Sequence, residues 1–191
     1  MKAKAPIIAV LAFVVTACSS GAMSTTEPST TAADSATTAP SMTEGASMEL
    51  TSPAFGHEEP IPSRYGCDGE NISPELTIAG VPPAASSLVL IMDDPDAPAG
   101  TWDHWVAYDI EPTGTVPEDV GVFGTAGLNS WKQTGYGGPC PPSGTHRYFF
   151  RILALDAELG LAEGATKAEV LAAAEGHVLA EAVLMGTYDA K

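Results

Sequence analysis

Gly135-Tyr136-Gly137-Gly138-Pro139-Cys140-Pro141-Pro142-Ser143-Gly144-Thr145-His146-Arg147-Tyr148-Phe149-Phe150 is the stretch on which the reading of this chain turns. Its first half is a loop. Glycine supplies unusual backbone angles, and proline fixes φ and removes hydrogen-bond donors. Its second half reads as a strand, because the aromatics and the continuation Ile152-Leu153-Ala154-Leu155 suit a buried sheet. A stiff loop that feeds a strand beginning with His holds a polar side chain at a pocket mouth.

Working outward, Ser87–Met92 is a continuous apolar run that predicts a buried strand, and it enters the acidic turn Asp93–Gly100. His104–Ile110 predicts another strand. Alternate residues of a strand share a face, so His146, Tyr148 and Phe150 go together and Arg147 goes to the other side. Asp94 is in phase with Leu88, Leu90 and Met92, and His104 with Val106 and Tyr108. Asp94, His104, His146 and Tyr148 therefore each stand at a strand end beside a turn-rich loop. If the three strands are neighbours, the four side chains meet at one pocket rim.

The remainder of the domain is mainly β. Met48–Phe55 suits an edge strand, Glu58–Ser73 is irregular, and Leu76–Ile78 is a short strand. Glu111–Thr134 is mostly loop. Thr166-Lys167-Ala168-Glu169 is a capping box, followed by a helical stripe through Val170, Leu171, Ala174, Val178, Ala182 and Met185. Gly176 weakens the middle of that helix by about 1 kcal/mol, and Gly186 is its stop. Thr187-Tyr188 returns to the sheet.

The N-terminal part is of a different kind. Lys2 and Lys4 precede an apolar run, Pro6–Val15, which is too short to span a bilayer but fits a secretory signal. Val15-Thr16-Ala17-Cys18 resembles the bacterial lipobox, in which the Cys is lipidated and becomes N-terminal. The expected division is a signal peptide over 1–17, a lipidated Cys18 with a Ser/Thr/Ala-rich tether over 18–47, and a folded domain over 48–191. The tether has too little apolar surface to offset ordering entropy and spans roughly 30 Å as a flexible coil. Removal of residues 1–17 takes away Lys2 and Lys4 and moves the formal charge from −16 to −18. That balance argues against nucleic-acid partners and against attachment to anionic headgroups. Acyl chains such as palmitate on Cys18 would hold the protein to the cell membrane, each buried CH2 contributing roughly 0.8 kcal/mol.

Asp94-Pro95-Asp96-Ala97-Pro98, His104-Trp105, Gly138-Pro139-Cys140-Pro141-Pro142 and His146-Arg147-Tyr148 together resemble the phosphatidylethanolamine-binding protein family. The closer likeness is to its bacterial, Raf-kinase-inhibitor-like branch, which Cys67-Asp68-Gly69-Glu70-Asn71-Ile72-Ser73-Pro74 and Asn129 also match. The resemblance covers about Met48 to Tyr188. It implies a large, mostly antiparallel central sheet packed with a smaller sheet, plus a C-terminal helix. It further implies a small cavity that accepts anions such as phosphate or a phospholipid headgroup. The matching positions are Asp94, His104, His146 and Tyr148, with Pro98, Gly138, Pro141 and Pro142 shaping the walls. The chain is shorter between Gly144 and His146 than in eukaryotic members, which trims the pocket edge.

Other roles stay in view. His177 and His57 have no supporting neighbours in the sequence and read as structural, and Asp96 reads as an Asx-turn residue holding the acidic loop. Two His and a carboxylate are a workable metal set, yet there is no closely spaced ligand pair and the resemblance implies neither metal nor cofactor. No Ser or Cys has a nucleophile context, so the expectation is a binding protein rather than an enzyme. A protein-interaction regulator and a weak hydrolase are the alternatives, and a homodimer and an unidentified protein partner are left open. Cys67 and Cys140 either form a disulfide, stabilising by about 4 kcal/mol in the chain-entropy model, or are two neighbouring thiols.

Overall fold

The computed structural model describes Ser47–Lys191. The expectations for the signal peptide, for Cys18 and for nearly all of the tether lie outside the described residues.

Two antiparallel sheets carry the domain. The small one has β1 (Glu49–Thr51), β2 (Leu76–Ala79) and β5 (Thr115–Val116) in the order β1-β2-β5, so β1 is an edge strand as its Pro-flanked sequence predicts. The large one has β3 (Ser87–Asp94), β4 (Trp102–Ile110), β6 (Thr125–Ala126), β7 (Thr145–Leu155) and β8 (Val178–Asp189) in the order β6-β4-β3-β7-β8. A single 3-10 turn, Ser63–Tyr65, follows β1.

β3 lies at the middle of the large sheet, and its unbroken apolar run follows from being covered on both faces. Leu88, Leu90 and Met92 face the small sheet and share a core with Leu50, Leu76, Ile78 and Val116. Val89 and Ile91 face the opposite way, against Val170 and Ala174 of the helix α1 (Lys167–Ala174). Burying each such side chain contributes about 1.5–3 kcal/mol. Lys167 ties the start of α1 to the ends of β3 and β4: its Nζ is 2.9 Å from Asp93 Oδ2 and also pairs with Asp103.

The capping box is present, with Glu169 N–H donating to Thr166 Oγ1 and Thr166 N–H to Glu169 Oε2. The long helix is not. α1 stops at Ala174, and the stripe read through Val178, Ala182 and Met185 belongs to β8, so the helix is a short insertion before the last strand rather than the C-terminal element. Gly176 takes φ +83° and turns the chain. β8 then pairs with β7 along its whole length, from Thr145↔Asp189 to Leu155↔Val178. The Ala-, Leu- and Glu-rich sequence favours helix locally, but β7 would otherwise leave a row of unpaired backbone groups. Thr187 and Tyr188 are the end of that strand.

Candidate functional site

Four expected polar side chains meet where β3, β4 and β7 end. Asp94, His104, His146 and Tyr148 are 3%, 2%, 7% and 0% exposed. Asp94 accepts from the backbone N–H of Asp96 at Oδ1 (2.8 Å) and from His146 Nδ1 at Oδ2 (2.7 Å). The Asx turn thus belongs to Asp94. Asp96, expected in that role, instead takes a forked pair from Arg147, with Nε to Oδ2 at 2.9 Å and Nη2 to Oδ1 at 2.7 Å. The Arg147 hydrogen bonds hold the Asp96 carboxyl down at about 2. Arg147 points outward, as strand parity requires.

His104 Nδ1 is 2.7 Å from the carbonyl oxygen of Gly137. A carbonyl only accepts, so Nδ1 carries the hydrogen and Nε2 is the nitrogen left for another partner. Burial pushes the His104 pKa below its usual value, against the opposing pull of that carbonyl and of Asp94. The His104 ring stands edge-on to Tyr148 (5.2 Å between centroids) and to Trp131 (4.9 Å). The Tyr148 hydroxyl is buried without a hydrogen-bond partner, and its pKa is pushed up by burial and then by the charge of Asp94.

How His104 comes to lie there is a matter of one residue. Met92 pairs with Trp105, but Asp93 pairs with Asp103, so β4 has one residue more than β3 at this point, and that residue is His104. In strict alternation His104 would lie with Val106 and Tyr108 on the α1 side, where those two residues are found. The bulge turns it onto the other face, beside Tyr148. His104 thus joins the site through the bulge and not through strand alternation with Val106 and Tyr108.

A cavity of about 370 Å³ opens beside this cluster, lined by Asp94, Pro98, His104, Pro142, Cys140 and Trp131, with Ala97, Ala99 and Trp102 completing it. Of the eight expected site residues, Asp94, Pro98, His104 and Pro142 line it directly. His146 is joined to it through Asp94 and Tyr148 through His104. Gly138 lines an adjoining cavity of about 220 Å³, together with Asn71, Asn129 and Tyr136, and Pro141 lines neither. Trp131 and Cys140 form the partition between the two. Sequence reasoning missed both Trp102 and Trp131. An aromatic in a Gly-rich loop was the available signal for Trp131, which is 41% exposed.

Cys67 and Cys140 form a disulfide, with Cα atoms 5.4 Å apart. Among the described residues no group of three or more His, Cys, Asp or Glu could hold a metal ion.

The model of the family described as phosphatidylethanolamine-binding protein matches residues 51–189. The chain belongs to that family. A UPF0098 protein of Methanothermobacter thermautotrophicus is 54% identical over 148 residues, covering 74% of this chain and 98% of the relative. The crystal structure of a putative phosphatidylethanolamine-binding protein homolog, CT736 of Chlamydia trachomatis, superposes with a TM-score of 0.74 at 45% identity, over 76% of this chain and 99% of that one. Escherichia coli YbcL, described as a new member of the mammalian PEBP family, gives 0.70 at 28% identity, over 76% and 100%. The two-sheet architecture of this chain is that of its family.

Proposed function

We propose that the domain binds small anions, either phosphate or a phospholipid-headgroup-like phosphomonoester, in the cavity beside Asp94 and His104. The observation that carries this reading is the anchoring of two imidazoles by their Nδ1 atoms, His104 to a carbonyl and His146 to Asp94. Each ring is thereby oriented with Nε2 left over, and an unpartnered Tyr148 hydroxyl lies next to one of them. A carboxylate near an anion site would repel, but Asp94 is already occupied by Asp96 N–H and His146. It holds a ring in place rather than facing a ligand unpaired. The family's description, phosphatidylethanolamine-binding protein, agrees with a phosphate ester as ligand. Binding is favoured over nucleophilic chemistry because Cys140, the one thiol at the cavity, is tied in a disulfide.

The sign of the pH dependence follows from the tautomers. With Nδ1–H engaged, a neutral ring presents a lone pair at Nε2, which repels an anion, and only the imidazolium presents N–H. Affinity for O-phosphoethanolamine should therefore rise as pH falls, and the share due to His104 appears below the ordinary imidazole range, because burial depresses its pKa. By linkage the same group makes the unliganded fold less stable as pH falls from the unfolded-state value toward the depressed one. Titration calorimetry across this range checks the rise, and a flat or inverted profile rejects the site. His146→Ala should abolish binding.

We further propose that the mature protein is a lipoprotein held at the bacterial envelope, outside the cytoplasm, by acyl chains on Cys18. The lipobox-like sequence and a disulfide with both cysteines exposed support that compartment. In cells fed a clickable palmitate analogue, label should enter the full-length protein and be absent from Cys18→Ala. Equal labelling of the two would refute the anchor.

A further inference from the structure

The loop that walls the cavity is fastened unevenly. On its N-terminal side five hydrogen bonds hold it: Tyr136 O–H to Tyr65 O at 2.8 Å, Gly137 N–H to His104 O at 3.0 Å, His104 Nδ1–H to Gly137 O at 2.7 Å, Gly138 N–H to Asn71 Oδ1 at 2.8 Å, and Cys67 N–H to Pro139 O at 3.0 Å. Beyond Pro139 the fastening changes. Pro141 and Pro142 have no N–H to give, and among the described residues no backbone–backbone hydrogen bond involves Cys140–Ser143, the Cys140 backbone approaching only the Tyr148 hydroxyl. The next is the one that Gly144 O accepts from Ala190 N–H. Between those points the one covalent tie to the rest of the domain, among the described residues, is the Cys67–Cys140 bond. Cys140 and Pro142, which line the cavity, lie within that span. Both cysteines are exposed, so a reductant can reach the bond.

We propose that the Cys67–Cys140 disulfide is a redox latch on the anion cavity, closed when oxidised and open when reduced; this rests on the anion-binding reading given above. The reductant is a dithiol. One of its thiolates attacks Cys67 Sγ, the S–S bond breaks, and Cys140 leaves as a thiolate. The second thiolate of the reagent then displaces Cys67 from the mixed disulfide. Two electrons pass to the protein, the reagent becomes a disulfide, and each cysteine takes up a proton. The bonds at Gly137, Gly138 and Pro139 are not touched by this exchange. His104 thus keeps its carbonyl partner, and the response is confined to Cys140–Ser143. Because the wall then spends only part of its time in place, apparent affinity falls by the fraction of time it is formed.

The test is calorimetric titration of O-phosphoethanolamine into three preparations. These are the disulfide-bonded protein, the same protein in excess dithiothreitol, and Cys67→Ser, each checked for fold by circular dichroism. The expected result is about a tenfold loss of affinity in the reduced protein and in Cys67→Ser, with the β signature retained and with recovery when the reduced protein is reoxidised. Equal affinity in all three overturns the latch and leaves the anion-binding reading standing. Absence of binding in all three overturns both. Loss of the β signature on reduction also overturns the latch, since the bond would then be a staple of the whole domain.

Discussion

Asp94→Ala is expected to lower stability by about 3 kcal/mol and to abolish binding of O-phosphoethanolamine. The carboxylate is 3% exposed and satisfies two donors, Asp96 N–H and His146 Nδ1. Its removal strands the half-buried Asp96 N–H and frees the buried His146 ring, which nothing else holds, and an unsatisfied buried donor costs about 1–3 kcal/mol. Urea unfolding measures the first effect and calorimetry the second. Asp94→Asn separates orientation from charge. The asparagine Oδ1 still accepts from Asp96 N–H, but its NH2 now meets His146 Nδ1, which must switch from donor to acceptor. The neutral ring then carries its hydrogen on Nε2. Binding should persist in Asp94→Asn and depend less on pH than in the parent. If Asn behaves as Ala does, Asp94 is acting through its charge, and the positioning role is wrong.

Gly138→Ala is expected to cost about 3 kcal/mol. A Cβ at this position would lie 2.2 Å from the Tyr65 carbonyl oxygen, 2.7 Å from Asn71 Oδ1 and 3.0 Å from Gly66 Cα. Two of those three atoms are backbone and cannot swing aside, so the wall loop and the 63–71 segment must part. The same movement pulls on the Cys67 and Asn71 attachments, and ligand affinity should fall with stability. Gly135→Ala is the comparison. It has φ +88° but open space around the missing Cβ, so it should cost only about 1 kcal/mol and leave the wall in place. Chemical denaturation of the two variants side by side decides the matter. Equal losses would mean that backbone conformation, not close approach, makes Gly138 necessary.

Much of the site could be read from the chain because strands carry a simple code. The Gly/Pro loop, the phase of His146 with Tyr148, and the phase of Met92 with Asp94 are local properties, and the structure keeps them. Two other features are not local. Val178–Asp189 has the composition of a helix and becomes a strand only because β7 lies open beside it, which no window of sequence records. His104 depends on the register between β3 and β4, which is a relation between two segments. Trp131 was missed for a related reason. It lies in a loop without periodicity, and its place becomes visible only once Gly137 is seen to leave room for its ring, 2.7 Å from where a Cβ would stand.

The extra residue in β4 makes this cavity depend on chain length as well as on side-chain identity. Substitutions along the outer strands can leave the imidazoles where they are. Deleting Asp103 would close the register, return His104 to the α1 face, and empty the site while Asp94, His104, His146 and Tyr148 all remain in the chain. A family member could therefore retain Asp94, His104, His146 and Tyr148 and still lose the ligand through one deleted codon. When such proteins are aligned or redesigned, a gap at this point carries more meaning than a mismatch.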